Sequence, residues 1–297
     1  MHTEPKLFFE KKPGKPARIA IFLSGSGTNA EKVLDLWKNL GEKAEFEPVC
    51  LVTERPKTSR TLELSKKYNV PAVCVGLKDF YTKHGLQTTS LATEEGRKVR
   101  ELWTDQLRKE IEPYKIDFAV FAGFVPLCNI TSDYPCLNVH PGDLTYEVDG
   151  QRKLVGLHTI PIKEAFLHGL DYMRSSVIIA SAFSDGGDGM DEGLILGVSQ
   201  AVSTDLKGMI LEDIQGELKK SPLSKTMKTL LDDNQEKLKI HGDWQVLPSV
   251  VQDFSAGKMA EDANGSLLIK VNKKWVPVEY IVYKDSNKEV VFSANPD

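Results

Sequence analysis

The stretch RIAIFLSGSGTN, residues 18–29, predicts the architecture of the chain. Its apolar half has the length and composition of a buried strand, and the glycines that follow permit a tight turn. An amphipathic helix is predicted directly after the turn, with Val33, Leu34 and Trp37 on its apolar face. A strand, a glycine-rich turn and a helix in this order are typical of an α/β sheet.

Strand and helix patterns keep alternating over the first two thirds of the chain. Helices are predicted over residues 62–68, 94–111 and 160–167. Further strands are predicted over residues 46–52, 70–75, 118–122, 136–139, 176–182 and 194–202. This alternation predicts a doubly wound, mainly parallel α/β sheet, a Rossmann-like variant, whose ligands bind beyond the carboxyl ends of the strands.

The last third of the chain has a different pattern. Residues 204–238 are polar and rich in lysine with helical periodicity, and residues 244–254 predict one more helix. Three alternating segments near the end of the sequence predict antiparallel strands. We therefore expect an N-terminal tail over 1–16, an α/β domain that carries the site over 17–203, and C-terminal helices with a small antiparallel β appendage, packed on the same domain, over 204–297.

Composition and charge exclude several classes of protein. The 297 residues are 41% hydrophobic and 27% charged, which is enough for a packed core. The formal net charge of −4 argues against a broad basic surface for nucleic acid. No apolar run approaches the roughly 20 residues that cross a bilayer, and the four scattered cysteines have no zinc-like spacing. We expect a cytoplasmic protein with no metal, no membrane association and no nucleic-acid partner.

The glycine-rich turn after the first strand is the first candidate binding element. Free amides at the N-terminus of the following helix favour an anion, and phosphate is the guest that the residue types suit best. The same turn also fits the pattern GxGxxA over residues 25–30, which suits a dinucleotide with Glu54 as the ribose acid, and a plain tight turn is a third interpretation. The candidate phosphate-binding residues are Ser26, Gly27, Thr28 and Asn29.

A second loop, AGFVPL over residues 122–127, follows the strand FAVFA. Glycine and proline fix an irregular apolar backbone here, against which a flat apolar ligand could lie while exposed amides offer hydrogen bonds. A strand end with no ligand is the alternative interpretation. The candidate ligand-contacting residues are Ala122, Gly123, Phe124, Val125 and Leu127.

Two further segments carry candidate catalytic groups. Asn138 and His140 lie two residues apart in a predicted strand, so their side chains share one face and form a pair of donors suited to a developing oxyanion. A loop rich in aspartate and glycine follows over residues 184–193, and its spacing does not match a calcium-binding EF-hand loop. One of its aspartates is expected to reach His140 and to favour the imidazolium.

In this order, the four loops resemble those of the folate-dependent formyltransferase family, and most closely its phosphoribosylglycinamide formyltransferase branch. The resemblance covers roughly residues 18–202 and resumes weakly over 241–258. It implies that residues 26–29 hold a ribosyl phosphate and that Asn138, His140 and Asp191 are catalytic. It further implies that the loop over 122–127, together with Gly187 and Gly189, lines the folate pocket.

The resemblance implies formyl transfer from 10-formyltetrahydrofolate, as co-substrate, to the primary amine of a phosphorylated small molecule. Glycinamide ribonucleotide in de novo purine biosynthesis is the acceptor that the resemblance favours, and a homodimer is expected. A charged insert over residues 142–153, and Pro126 where the family carries arginine, leave the acceptor open. The alternatives are an amino-sugar nucleotide formyltransferase, a nicotinamide-dinucleotide-binding protein and a binding protein without turnover.

Overall fold

A mixed β-sheet flanked by helices organises the chain in a computed structural model, which describes residues 5–182, 189–222, 224–285 and 287–292. The helices are α1 Thr28–Leu40, α2 Thr61–Tyr68, α3 Leu77–Lys83, α4 Glu94–Ile111, α5 Ile160–Leu167, α6 Leu211–Lys220, α7 Lys225–Leu238 and α8 Trp244–Ser255. The strands are β1 Lys6–Leu7, β2 Ala17–Phe22, β3 Phe46–Thr53, β4 Ala72–Cys74, β5 Phe118–Phe121, β6 Cys136–His140, β7 Glu147–Val148, β8 Gln151–Arg152, β9 Tyr172–Met173, β10 Ser176–Ile179, β11 Ile195–Ser199, β12 Val202–Ser203, β13 Met259–Glu261, β14 Leu267–Val271, β15 Lys274–Tyr283 and β16 Lys288–Phe292.

The main sheet has the strand order β1-β13-β14-β15-β11-β10-β6-β5-β2-β3-β4, and β16 pairs with β15. The run from β6 to β4 is parallel, as the alternation of strands and helices predicted. Strand β10 is antiparallel to both β6 and β11. The chain reverses its direction across the sheet between β2 and β5, which is the switch point where α/β sheets bind ligands.

The alternation of side chains along β2 shows why this part of the sheet is buried on both faces. Ile19 and Ile21 join the core that packs under α1, α2 and α8. Ala20 and Phe22 point the other way, into the core under α3 and α4. Side chains that alternate between two apolar layers are the expected result of a parallel strand covered by helices on both sides.

The C-terminal strands extend the main sheet instead of forming a separate unit. Strand β15 pairs in parallel with β11 through Val198 and Val282, and β14 and β16 flank β15. The segment predicted as an N-terminal tail also joins this sheet, because β1 pairs with β13. The rings of Phe8 and Phe9 then lie 5.2 and 5.6 Å from the ring of Phe254 in α8.

Helices α5, α6 and α7 enclose a smaller apolar cluster of their own. Among the described residues, no helix combines the length and the hydropathy that crossing a membrane requires. The same residues contain no cluster of three or more histidine, cysteine, aspartate or glutamate side chains arranged to hold a metal ion.

Candidate active site

The two loops at the switch point are joined to each other by hydrogen bonds. The backbone N–H of Ser24 donates to the carbonyl of Gly123 at 3.2 Å. The backbone N–H of Val125 donates to the Ser24 hydroxyl at 2.9 Å. Because β2 and β5 are adjacent parallel strands, their carboxyl ends bring the candidate phosphate loop and the candidate folate loop together. The two loops therefore lie side by side at the switch point of the sheet.

Gly27 shapes the candidate phosphate loop. Its φ of 64° is left-handed, and a Cβ here would lie 2.8 Å from Leu23 Cδ1 and 2.9 Å from Leu64 Cδ1. Only glycine fits such a position without a backbone or core shift. Gly27 is the N-cap of α1, so the first backbone amides of this 13-residue helix are left to face an anion.

Arg60 borders the same loop, and sequence reasoning missed it. Its backbone N–H donates to Gly25 O at 3.1 Å, and its Nη1 donates to Ser26 O at 3.1 Å. The guanidinium also pairs with Glu31 at 2.9 Å and with Glu63 at 2.6 Å. Hydrogen bonds from Arg60 and Lys67 lower the pKa of the Glu31 carboxyl. No local pattern identifies this arginine, because it lies about thirty residues beyond the loop that it contacts.

Asn29 is predicted to bind phosphate, but its side-chain amide donates a hydrogen bond to a buried carboxylate. Its Nδ2 donates to Asp243 Oδ2 at 2.9 Å, and the Ser175 hydroxyl donates to Asp243 Oδ1 at 2.5 Å. Burial raises the pKa of Asp243, and the hydrogen bonds from Ser175 and Asn29 oppose that rise. Asp243 therefore links the candidate phosphate loop to the start of β10 through these two hydrogen bonds.

Asp243 ends a π-helical turn, Lys239–Asp243, that runs directly into α8. Such turns occur frequently at functional sites. A Cβ at Gly242 would lie 2.5 Å from the Ser175 hydroxyl, so the close approach of this turn to β10 requires glycine. The sequence predicts helical segments on either side of this turn, over 204–238 and 244–254, and shows a weak resemblance over 241–258, but it does not single out the carboxylate.

Some residues of the loop over 122–127 are buried in the core, and others are exposed at the surface. Phe124 is buried, with its ring 5.2 Å from that of Phe22 and 6.4 Å from that of Trp103, and Ala122 is buried as well. Gly123 has open space where a Cβ would stand, and Val125 and Leu127 are partly exposed. The surface offered to an apolar ring is therefore Gly123, Val125 and Leu127, with Phe124 supporting it from beneath.

A cavity of about 400 Å³ opens beside Pro126 of this loop. Its lining residues are Glu54, Arg55, Leu77, Lys78, Gln87, Thr88, Thr89 and Pro126. The carboxylate oxygens of Glu54 are closed to solvent, and burial raises the pKa of this side chain. The Arg55 Nε lies 3.2 Å from Glu54 Oε1. A carboxylate held in this way is not presented to a ribose, which weighs against the dinucleotide interpretation.

Asn138 and His140 are both buried on β6 and share one face of that strand. Asn138 retains 9% of its surface, so a ligand that reaches this face of β6 can contact its amide. The ring of His140 is held from both sides. Its Nδ1 lies 3.3 Å from Asp191 Oδ1, and its Nε2 donates to the carbonyl of Leu154 at 2.7 Å.

Both partners of the His140 ring are acceptors. A backbone carbonyl has no proton to give, so the Nε2 proton of the ring is committed to Leu154 while the Nδ1 edge faces the Asp191 carboxylate. Asp191 also accepts a hydrogen bond from the backbone N–H of Gly156, at 3.2 Å. Burial raises the pKa of Asp191, but the contact and the charge of His140, the Gly156 amide and the charge of Arg152 outweigh burial and hold that pKa below its usual value.

Two predicted folate contacts belong to the acidic loop before β11. Gly187 lies outside the described residues. Gly189 begins a short 3₁₀ turn, Gly189–Glu192, that carries Asp191. The structure therefore brings together Asn138, His140 and Asp191. It adds Arg152 from the insert after β6 and Leu154, which directly follows that insert.

No protein-family model matches the chain, and no curated protein is similar to it. Solved structures do match. A phosphoribosylglycinamide formyltransferase from Coxiella burnetii is 18% identical with a TM-score of 0.56, over 88% of this chain and 96% of that chain. Another from Anaplasma phagocytophilum is 15% identical with a TM-score of 0.57, over 90% and 98% of the two chains.

A formyltetrahydrofolate deformylase from Pseudomonas syringae pv. tomato is 12% identical to this chain, with a TM-score of 0.54, over 86% of this chain and 66% of that chain. These likenesses show that the chain has the α/β fold of the formyltransferases. The fold class predicted from the alternating strands and helices is thereby confirmed.

Proposed function

We propose that the protein transfers a formyl group from 10-formyltetrahydrofolate to the primary amine of a phosphorylated small molecule. One observation carries the proposal: residues 51 positions apart in the chain place the Asp191 carboxylate 3.3 Å from the His140 ring, on the strand that also carries the buried amide of Asn138. An N–H donor, a cation and a carboxylate at one buried spot are the groups that acyl transfer to an amine uses.

The residues have separate roles in the proposed reaction. The amine nitrogen attacks the formyl carbon, and negative charge grows on the formyl oxygen. The Asn138 amide donates to that oxygen, and the imidazolium of His140 stabilises it by charge. A donor of this kind contributes roughly 3 kcal/mol, or about a hundredfold in rate. Asp191 holds the ring in its charged form and accepts the proton that the amine loses, directly or through water. The C–N bond to the folate then breaks, and the folate nitrogen takes up a proton.

The surface beside these groups fits a flat apolar co-substrate. Open space lies over Gly123, and the partly exposed side chains of Val125 and Leu127 continue that surface. When bound there, 10-formyltetrahydrofolate supplies a formyl group already activated on nitrogen. The residues of the chain orient it and exclude water from the reacting carbon.

The candidate phosphate loop supports a phosphorylated acceptor. The free amides of α1 would hold the phosphate away from the reacting nitrogen, which positions the amine for attack. We propose glycinamide ribonucleotide as the acceptor, as the resemblance implies and as the names of the two formyltransferase structures suggest.

A second candidate is hydrolysis of the same formyl donor, with water in place of the amine. The structural similarity to a formyltetrahydrofolate deformylase, at a TM-score of 0.54, supports this second candidate reaction. An amino-sugar nucleotide as acceptor would use the same three catalytic groups.

One assay separates these candidates. Purified protein is mixed with 10-formyltetrahydrofolate and either glycinamide ribonucleotide, a uridine diphosphate amino sugar or no amine, and tetrahydrofolate and formate are quantified. We expect tetrahydrofolate without formate, and only with glycinamide ribonucleotide. Formate release without any amine identifies a hydrolase, and product with the amino sugar alone identifies the other acceptor. No consumption of the donor in any arm contradicts the proposal.

A further inference from the structure

The insert that follows the catalytic strand folds into a hairpin with a fixed register. Strands β7 and β8 pair Glu147 with Arg152 and Val148 with Gln151. The two connecting residues, Asp149 and Gly150, have φ values of 54° and 70°. Two positive φ values on an Asp-Gly pair are the signature of a type I′ turn, which sets the register of a hairpin. The position of each side chain on β8 is therefore determined by the hairpin.

The Arg152 side chain reaches from this hairpin to the backbone around Asp191. Its Nη1 donates to the carbonyl of Asp191 at 2.6 Å and to the carbonyl of Gly193 at 2.9 Å. Gly193 is itself held by close packing, since a Cβ there would lie 1.6 Å from Ile179 O on β10. One guanidinium nitrogen thus holds the backbone at Asp191 and two residues beyond it, where the chain is already packed on the sheet.

Two backbone groups shortly after Arg152 contact His140 and Asp191. The carbonyl of Leu154 accepts from His140 Nε2 at 2.7 Å. The N–H of Gly156 donates to Asp191 Oδ2 at 3.2 Å. A single short segment therefore holds the imidazole at one nitrogen and the carboxylate at one oxygen, and it positions the two groups relative to each other.

We infer that Arg152 is a positioning residue: by holding the backbone at Asp191 and Gly193, it sets the Asp191 carboxylate against the His140 ring. The inference rests on the proposed function wherever turnover is the readout. Because the Arg152 guanidinium donates to backbone carbonyls, its effect on the reaction is transmitted through Asp191. A displacement of about 1 Å in such a pair costs roughly 10²-fold in rate.

The charged groups around Arg152 and Asp191 shift the pKa values of both side chains. Burial lowers the pKa of Arg152, while the charges of Glu147, Asp191 and Glu192 oppose that effect. Around Asp191, the charges of His140 and Arg152 both favour the ionised carboxylate. Loss of Arg152 is therefore expected to raise the pKa of Asp191 and to move the acid limb of the kcat profile to higher pH.

The test compares Arg152→Met, Arg152→Lys and Lys153→Met. The first keeps the aliphatic length and removes the donors, the second retains a cationic donor, and the third removes a charge from a neighbour whose Nζ contacts only Gln151 among the described residues. We expect kcat to fall about 10²-fold in R152M with little change in the KM of the formyl donor, and to recover in part in R152K. A second readout is the proton on His140 Nδ1, observed at low field by NMR and assigned with His140→Gln.

We expect the low-field proton in the wild-type protein and in K153M, its loss in R152M and its partial return in R152K. An R152M protein that is folded by circular dichroism and keeps both the proton and the wild-type pH profile overturns the inference. If R152M does not fold, Arg152→Gln decides by the same two readouts. Absence of formyl transfer in the wild type contradicts the proposed function alone, because the NMR comparison needs no turnover.

Discussion

Among single residues, His140 shows most clearly how the fold determines chemistry. The sequence places it two positions after Asn138, and the strand period puts both on one face. The structure adds one acceptor that the sequence does not predict, the Leu154 carbonyl, and it brings the expected Asp191 carboxylate to the ring. With its Nε2 proton committed to Leu154, the ring is proposed to contribute charge, and the Asn138 amide is proposed to donate to the substrate oxygen.

Replacing Asn138 or His140 is expected to remove transition-state stabilisation without unfolding the chain. We predict that Asn138→Ala and His140→Ala each lower kcat by at least about 10²-fold, because each loses one preorganised group. Steady-state kinetics check this result. His84→Ala is the matched control, since His84 is exposed and its Nδ1 bonds to the carbonyl of Phe80 in the preceding turn. Wild-type turnover in H140A would exclude the assigned role.

The carboxylate of Asp191 is expected to govern acid sensitivity. Its folded-state pKa lies below the ordinary 3.8, so its stabilising contribution is complete above that value and is lost as the pH falls through the lower folded value. Asp191→Asn should abolish transfer and remove this part of the acid dependence. Urea unfolding from pH 6 down to pH 3 measures it. A D191N stability curve parallel to that of the wild type across this range contradicts the prediction.

Several residues of the candidate site could not be predicted because their partners are distant in sequence. Asp191 was identified through the resemblance, and the 3.3 Å contact with His140 agrees with that expectation. Arg60, Arg152 and Asp243 carry no local signal, since a lone charged residue in a helix or hairpin is most often solvated. Their contacts follow from the packing of loops, which no periodicity describes.

Among the elements, the turn between β2 and α1 forms the candidate phosphate loop. Residues 18–29 predicted a strand, a turn and a helix, and the structure has β2, the turn and α1 in that order. The glycines in the turn are not equivalent. Gly27 has a positive φ and close neighbours, whereas Gly25 has open space around the position of a Cβ.

These two glycines allow a matched comparison. We predict that Gly27→Ala lowers the free energy of unfolding by about 1–3 kcal/mol, because a Cβ at positive φ meets Leu23 and Leu64. Its affinity for inorganic phosphate should fall as well, since the first amides of α1 are displaced. Gly25→Ala should leave stability within about 0.5 kcal/mol of the wild type. Urea unfolding and phosphate titration measure both effects, and equal stability losses in the two variants contradict this account.

Elements with strong periodicity were predicted well, and short ones were not. Helix α4 was expected over 94–111 and occupies Glu94–Ile111. The hairpin strands β7 and β8 and strand β1 have two residues each, too few for a period of two to stand out. The insert over 142–153 stands out in the sequence by its charge, whereas its Asp-Gly turn marks a hairpin only once the flanking residues are known to pair.

In the whole molecule, both ends of the chain support the central sheet. Sequence reasoning found the C-terminal strands but not their place, because local pattern does not specify which strands become neighbours. In the structure β15 pairs with β11, and the strands beyond it lead to β13 and β1. The N-terminal segment thereby brings two aromatic rings onto α8, the helix that follows Asp243.

The N-terminal rings are therefore expected to contribute to global stability. The ring of Phe9 lies 5.4 Å from that of Phe118 and 5.6 Å from that of Phe254. We predict that Phe9→Ala lowers the free energy of unfolding by about 1–3 kcal/mol through lost apolar contacts. Leu7→Ala, at a side chain that is 51% exposed, should change it by less than about 0.5 kcal/mol. Chemical denaturation checks both variants, and an F9A protein as stable as L7A contradicts the role of this segment.

The central claim is that the formyl carbon moves from folate to an amine at Asn138, His140 and Asp191. The direct measurement uses 10-formyltetrahydrofolate labelled with ¹³C in the formyl group, glycinamide ribonucleotide as acceptor and ¹³C NMR detection. The account predicts that the label becomes a formamide on the acceptor nitrogen with the wild-type protein and stays on folate with D191N. Label recovered as formate, or left on folate by the wild-type protein, would contradict it.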